Sequence, residues 1–211
     1  GDFYTRENWG KRDLPNIWNS NQHLKSNERN IDFVLEPKNS IWGADDDTDI
    51  EYMYQHLLTT NNTLYLNGEQ IKEGWLKHIK HEEENYLWVS NENALHLMLD
   101  GVVPPNTSDP DKNPHYMMID AQLTTEIFGF FAPTRPDIAV KMAEMPILTT
   151  AREEAKSISE FHVALYSLAS KVDKSLSMKE QTQWMAEEAK VYLPEGTYPR
   201  AMYDFVKSKY D

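Results

Sequence analysis

The chain contains no cysteine among its 211 residues. Disulfide bonds, thiolate zinc sites and cysteine nucleophiles are therefore excluded. No apolar run is long enough to span a bilayer, which predicts a soluble protein without a membrane partner. Phosphate-binding glycine loops, dinucleotide-binding fingerprints and the serine nucleophile motif of hydrolases are missing as well. Several common enzyme classes are thus excluded before any single residue is considered.

Basic residues are scarce: 21 lysines and arginines stand against 34 aspartates and glutamates, which gives a formal net charge of −13. A protein that binds duplex nucleic acid normally presents a basic face, so we expect no such partner. A small anionic ligand is still compatible with this charge if metal ions or helix N-termini supply positive potential locally. Hydrophobic residues make up 40% of the chain, which is enough for one sizeable core.

From Asp46 onward the hydrophobic pattern is that of successive helices, and no alternating strand of convincing length is present. Turn and capping signals predict helices over residues 46–60, 69–80, 83–100, 117–131, 136–156, 157–171, 179–192 and 198–209. Residues 1–43 show no sustained helical period, and Trp9, Trp18 and Trp42 are expected to anchor them to the core. The sequence therefore predicts an all-α protein with an irregular N-terminal arm at 1–43 and a helical domain at 44–211.

Four aspartates and a threonine, Asp45-Asp46-Asp47-Thr48-Asp49, stand at the start of the first predicted helix. The apolar positions that follow have the spacing of one helical stripe and are Ile50, Met53, Tyr54, Leu57 and Leu58. When this stripe is extended backwards by three and four residues, it includes Asp47 and Asp46. Both carboxylates are therefore predicted to point inward, where a charge needs a partner. A hard divalent cation such as Mg²⁺ or Ca²⁺ is the natural partner for clustered oxygens.

A structural explanation of the same run stays open. Acidic residues are favoured at helix N-termini, where they cap free N–H groups and meet the positive end of the helix dipole. An EF-hand loop is a poor alternative, because the run lacks the glycine and the glutamate that such a loop requires. The acidic run is accordingly either a metal site or a helix cap.

The predicted helix at 117–131 carries three further candidates. Gln122 and Glu126 are spaced by four residues and share one side of this helix. Asp120 falls among its apolar residues, so it either caps the start of its own helix or lines the same cleft as the aspartate run. His162 lies in an apolar helix and is expected to be a packing residue rather than a base.

Three segments, Ile41–Asp49, Gly101–Pro105 and Asp120–Gly129, resemble the ADP-ribosylglycohydrolase family and occur in that family's order. An alanine-containing helix at 161–169 and the segment 193–195 follow them as they do in the family. The similarity extends from about Ile41 to the C-terminus, and the aspartate-threonine run is its most specific element.

The resemblance implies a compact orthogonal bundle of helices that holds a pair of Mg²⁺ ions in a central cleft. Family members hydrolyse the glycosidic bond between the ribose of ADP-ribose and a modified side chain or small acceptor, so the partner would be an ADP-ribose-containing small molecule or an ADP-ribosylated protein. By position, Asp45, Asp46 and Asp47 would be metal ligands, Asp46 and Asp47 would also be catalytic, and Gln122 and Glu126 would bind substrate. The alternative is a non-catalytic module that binds ADP-ribose or a related nucleotide and has a degenerate metal site.

The chain departs from the family pattern in several places. The family more often has threonine at the position of Asp45, and it usually has a histidine where this chain has Ala151 and Arg152. Its early glycine-aspartate segment and its late Asp-x-Asp-Thr cluster are not found in this sequence. We therefore expect residues 44–211 to form an incomplete domain, with the remainder of the same polypeptide as a partner, or a domain with an incomplete site.

Overall fold

The computed structural model describes residues 46–80 and 87–210, and every regular element within these ranges is helical. The helices are α1 (Asp46–Thr60), α2 (Gly68–His78), α3 (Val89–Leu99), α4 (Asp120–Thr124), α5 (Ile127–Phe131), α6 (Pro136–Thr150), α7 (Glu153–Leu168), α8 (Met178–Ala189) and α9 (Tyr198–Tyr210). Short 3₁₀ turns lie at Asn106–Ser108 and Lys190–Tyr192. The all-α prediction is confirmed for this part of the chain, whereas the predicted arm at 1–43 and Asp45 lie outside the described residues.

The core is built around α6 and α7, which pack against each other, with α4, α5 and α8 also packed on α7. The stripe predicted for α1 is confirmed, because Ile50, Met53, Tyr54 and Leu57 are buried and Leu58 packs against them. Burying each such side chain contributes about 1.5–3 kcal/mol. No helix within the described ranges has both the length and the apolarity needed to cross a membrane.

Gly129 allows α5 to approach α7 closely. A Cβ atom at this position would lie 2.5 Å from the Cβ of Tyr166 and 2.6 Å from the carbonyl oxygen of Val163. Because both atoms are fixed to the backbone of α7, a larger residue would push the two helices apart. This contact places α5, which begins directly after Glu126, close to α7.

The single helix predicted at 117–131 is wrong, since α4 and α5 are separated by a break at Thr125. Thr125 has φ −127° and ψ −1°, and its hydroxyl donates to the carbonyl of Ala121 at 2.6 Å. The backbone N–H of Ile127 then donates to Glu51 Oε1 on α1, at 2.8 Å. A distant side chain thus satisfies the first amide of α5, which stabilises a new helix start. The predicted third helix is also wrong at its beginning, because residues 87 and 88 are not helical.

The predicted boundary between residues 156 and 157 is wrong as well, because α6 ends before Ala151, which is extended. The hydroxyls of Thr107 and Ser108 donate to carbonyls at the end of α6, at 2.7 and 2.6 Å. The Arg152 guanidinium donates to Ser108 Oγ at 2.9 Å and to the carbonyl of Pro105. The loop before Asn113 therefore supplies hydrogen-bond donors for the free carbonyl groups at the end of α6, which explains why the helix stops there.

Candidate functional site

The N-terminus of α3 is capped by carboxylates from two other helices. Its own N-cap residue, Trp88, does not cap the helix through its side chain. The backbone N–H of Trp88 donates to Asp46 Oδ2 at 2.7 Å, and those of Ser90 and Asn91 donate to Asp120 Oδ1 at 3.1 Å each. The starts of α1, α3 and α4 therefore meet, and the positive end of the α3 dipole stabilises both negative charges. The alternative that Asp120 caps its own helix is wrong, because its carboxylate binds the amides of α3.

Asn91 connects the two carboxylates. Its side-chain Nδ2 donates to Asp46 Oδ2 at 3.1 Å, while its backbone N–H donates to Asp120 Oδ1. The residue is fully buried, so its amide cannot rotate freely. Asn91 consequently holds one oxygen of Asp46 in a fixed direction.

Three buried oxygens at this helix end have no hydrogen-bond partner within the described part of the chain. They are Asp120 Oδ2, Asn91 Oδ1 and Ser90 Oγ. Asp120 itself is only 1% exposed. Buried polar groups in folded proteins are nearly always paired, so three orphaned oxygens on neighbouring residues indicate that a partner is missing. Carboxylate, amide carbonyl and hydroxyl oxygens are the ligands that hard cations prefer.

Of the predicted metal ligands, Asp46 and Asp47 are described, and both are partly buried. Asp46 faces the start of α3, and Asp47 also has a polar or charged partner. Across residues 46–80 and 87–210, no group of three or more histidine or acidic side chains could by itself hold a metal. A cation held by Asp46 and Asp47 would therefore need further oxygens, for example from Asp45 or from the side chains that meet at the start of α3.

The predicted substrate residues Gln122 and Glu126 form hydrogen bonds toward α7. Gln122 Nε2 lies 3.5 Å from His162 Nε2. The hydroxyl of Tyr166 donates to Glu126, and this hydrogen bond, together with burial, raises the pKa of Tyr166 to about 12. Burial lowers the pKa of His162, which keeps its imidazole neutral at pH 7. Gln122 and Glu126 thus form a polar cluster with His162 and Tyr166 of α7. Asp120, two residues before Gln122, instead binds the start of α3.

Sequence reasoning missed Glu51, Ser90 and Asn91. Glu51 lies four residues after Asp47, so the acidic pattern along α1 contained a signal for it. Ser90 and Asn91 lie in an ordinary polar first turn, and their role depends on carboxylates that are distant in sequence. No local spacing could have identified them.

A separate groove of about 1290 Å³ lies between α7, α8 and α9. Its lining is mainly apolar and includes the aromatic residues Phe161, Trp184 and Tyr203. Two lysines of the lining, Lys179 and Lys207, are hydrogen-bonded to protein oxygens. Such a lining does not favour an anionic ligand, because desolvating its charge would not be compensated there. The oxygen-rich start of α3 is therefore the candidate functional site.

The chain matches no protein-family model, no curated protein and no solved structure. The resemblance to ADP-ribosylglycohydrolases thus depends on the sequence segments alone and stays a prediction.

Proposed function

We propose that this protein is a Mg²⁺-dependent hydrolase that cleaves the glycosidic bond of an ADP-ribosylated substrate or an ADP-ribose derivative. The resemblance of the segments around Asp46 and Gln122 supports this proposal. The observation that carries it is the carboxylate of Asp46, which is held where α1 meets α3, beside unpaired buried oxygens of Asn91 and Asp120.

The residues at this helix end fit a hard cation. Asp46 uses Oδ2 for Trp88 and Asn91, so its other oxygen can serve as a ligand. Asp45 and Asp47, adjacent in sequence, would hold the ions with it. When bound, Mg²⁺ would polarise ribose oxygens and offset the negative charge of a diphosphate. This matters for a chain of net charge −13, which otherwise repels an anionic substrate.

The chain's own groups then have distinct tasks. In hydrolysis the bond between the anomeric carbon and its acceptor breaks, and a water oxygen bonds to that carbon. Asp47 accepts one proton of the attacking water, and this proton then passes to the departing acceptor, which returns Asp47 to its ionised form. Asn91 and the backbone of Trp88 keep the Asp46 carboxylate fixed, which avoids reorganisation during the reaction. Gln122 and Glu126 bind the ADP-ribose portion.

The test is release of ADP-ribose from peptides modified on arginine or on serine, followed by chromatography with Mg²⁺ or with EDTA. We expect release that requires Mg²⁺ and that is lost in Asp46→Asn and Asp47→Asn, with the helical circular dichroism unchanged. Asparagine keeps an oxygen that can accept from Trp88, so the cap of α3 is retained in the first variant. Asp173→Asn is the matched control, because Asp173 is an exposed carboxylate that accepts a backbone N–H in another loop.

Calorimetry decides the site assignment. If both variants bind Mg²⁺ as tightly as the wild type, Asp46 and Asp47 do not hold the ion. Tight binding of ADP-ribose without turnover of any substrate would instead identify the non-catalytic binding module. A melting midpoint that does not rise with Mg²⁺ would assign Asp46 a purely structural capping role, because a ligand of the native state must stabilise it.

A further inference from the structure

Asp120 is the most deeply buried carboxylate of the candidate site, and only one of its oxygens is used. Oδ1 accepts the amides of Ser90 and Asn91, whereas Oδ2 is buried without a partner in the described ranges. A buried carboxylate is costly unless a positive charge compensates it. The α3 N-terminus supplies a partial positive charge, which offsets only part of that cost.

The two residues that bind Asp120 also carry the other orphaned oxygens. The backbone N–H groups of Ser90 and Asn91 donate to Asp120 Oδ1 at 3.1 Å each. The side chains of both residues therefore start close to this carboxylate. Asn91 Nδ2 lies 3.1 Å from Asp46 Oδ2 on its other side. A water molecule could form hydrogen bonds with such oxygens, but it would not compensate the buried negative charge of Asp120. A cation pairs with the oxygens and also compensates the charge.

We propose that Asp120 is a metal-ligating carboxylate, and that Asp120 Oδ2, Asn91 Oδ1 and Ser90 Oγ complete with Asp46 a site for one hard divalent cation at the start of α3. The inference rests on the proposed function, since it concerns the same ions. It adds ligands from α3 and α4 to the carboxylates of the run Asp45–Asp47.

The probe for this site is Tb³⁺, which takes the same oxygen ligands, in competition with Mg²⁺. Trp88 should transfer excitation to it, because its backbone nitrogen is 2.7 Å from Asp46 Oδ2. We expect Trp88→Phe to lower the Tb³⁺ emission without changing the affinity, and Trp184→Phe on α8 to leave both unchanged. Asp120→Asn keeps an oxygen for the two amides of α3, yet it should weaken Tb³⁺ and Mg²⁺ binding about tenfold or more. Asp173→Asn should bind as the wild type does.

Unchanged affinity in Asp120→Asn overturns the inference and leaves Asp120 with the role of a cap beside a buried water. If Asp46→Asn and Asp47→Asn lose the ion while Asp120→Asn retains it, the proposed function stands and this inference fails. If none of the three variants weakens binding, both fail. Should Asp120→Asn not fold, Ser90→Ala provides the same test, because it removes the proposed ligand Oγ and leaves the backbone amide bonds to Asp120 and the Asn91 bond to Asp46 in place.

Discussion

Replacement of Asp120 by alanine tests whether a carboxylate from α4 holds the start of α3. The change removes the acceptor of two buried amides, those of Ser90 and Asn91. An unsatisfied buried amide costs about 1–3 kcal/mol, which sums to roughly 2–6 kcal/mol for two amides. The substitution also removes a buried negative charge with one unpaired oxygen, and this favourable change offsets part of the cost. We therefore expect Asp120→Ala to lower the free energy of unfolding by about 2–3 kcal/mol.

Urea denaturation followed by far-ultraviolet circular dichroism, in buffer with EDTA, measures this loss without any cation. Asp120→Asn should stay within about 1 kcal/mol of the wild type, because its side-chain oxygen still accepts both amides. Ser177→Ala provides a scale, since Ser177 caps α8 locally through the N–H of Glu180, and its loss should cost about 1 kcal/mol. The reasoning is refuted if Asp120→Ala unfolds at the wild-type urea concentration, or if Asp120→Asn loses as much stability as Asp120→Ala.

Two further predictions concern packing and acid stability. Gly129→Ala should cost about 2 kcal/mol or more in the same denaturation assay, because the new methyl group meets the backbone of α7. Gly101→Ala, where φ is +94° and no atom lies within 4 Å of the new Cβ, should cost about 1 kcal/mol; equal losses would contradict the packing argument. Hydrogen bonds from Lys190 and Lys207 lower the pKa of Glu187 from 4.5 to about 2. The folded pKa is below the unfolded one, so this stabilisation is complete above about pH 4.5 and is lost as the pH falls toward 2. Glu187→Gln should therefore show a smaller loss of stability over that interval, and identical pH profiles would contradict the assignment.

The sequence alone determined the helical class and the buried face of α1. The spacing of Ile50, Met53 and Leu57 gives the buried face of α1, and the capping box of Ser177 and Glu180 marks the start of α8. These features depend on residues within one or two helical turns of each other. Periodicity and capping act over that distance, so a single sequence contains enough information to predict them.

Only the tertiary structure decided what the acidic groups bind and where the longer helices break. Asp46 and Asp120 both cap α3, and Glu51 caps α5, although each lies tens of residues from its partner. A carboxylate at a helix start has the same local pattern whether it caps its own helix or another one. The choice depends on which free N–H groups the packing of α1, α3 and α4 brings within hydrogen-bonding distance, and that distance is a property of the folded chain.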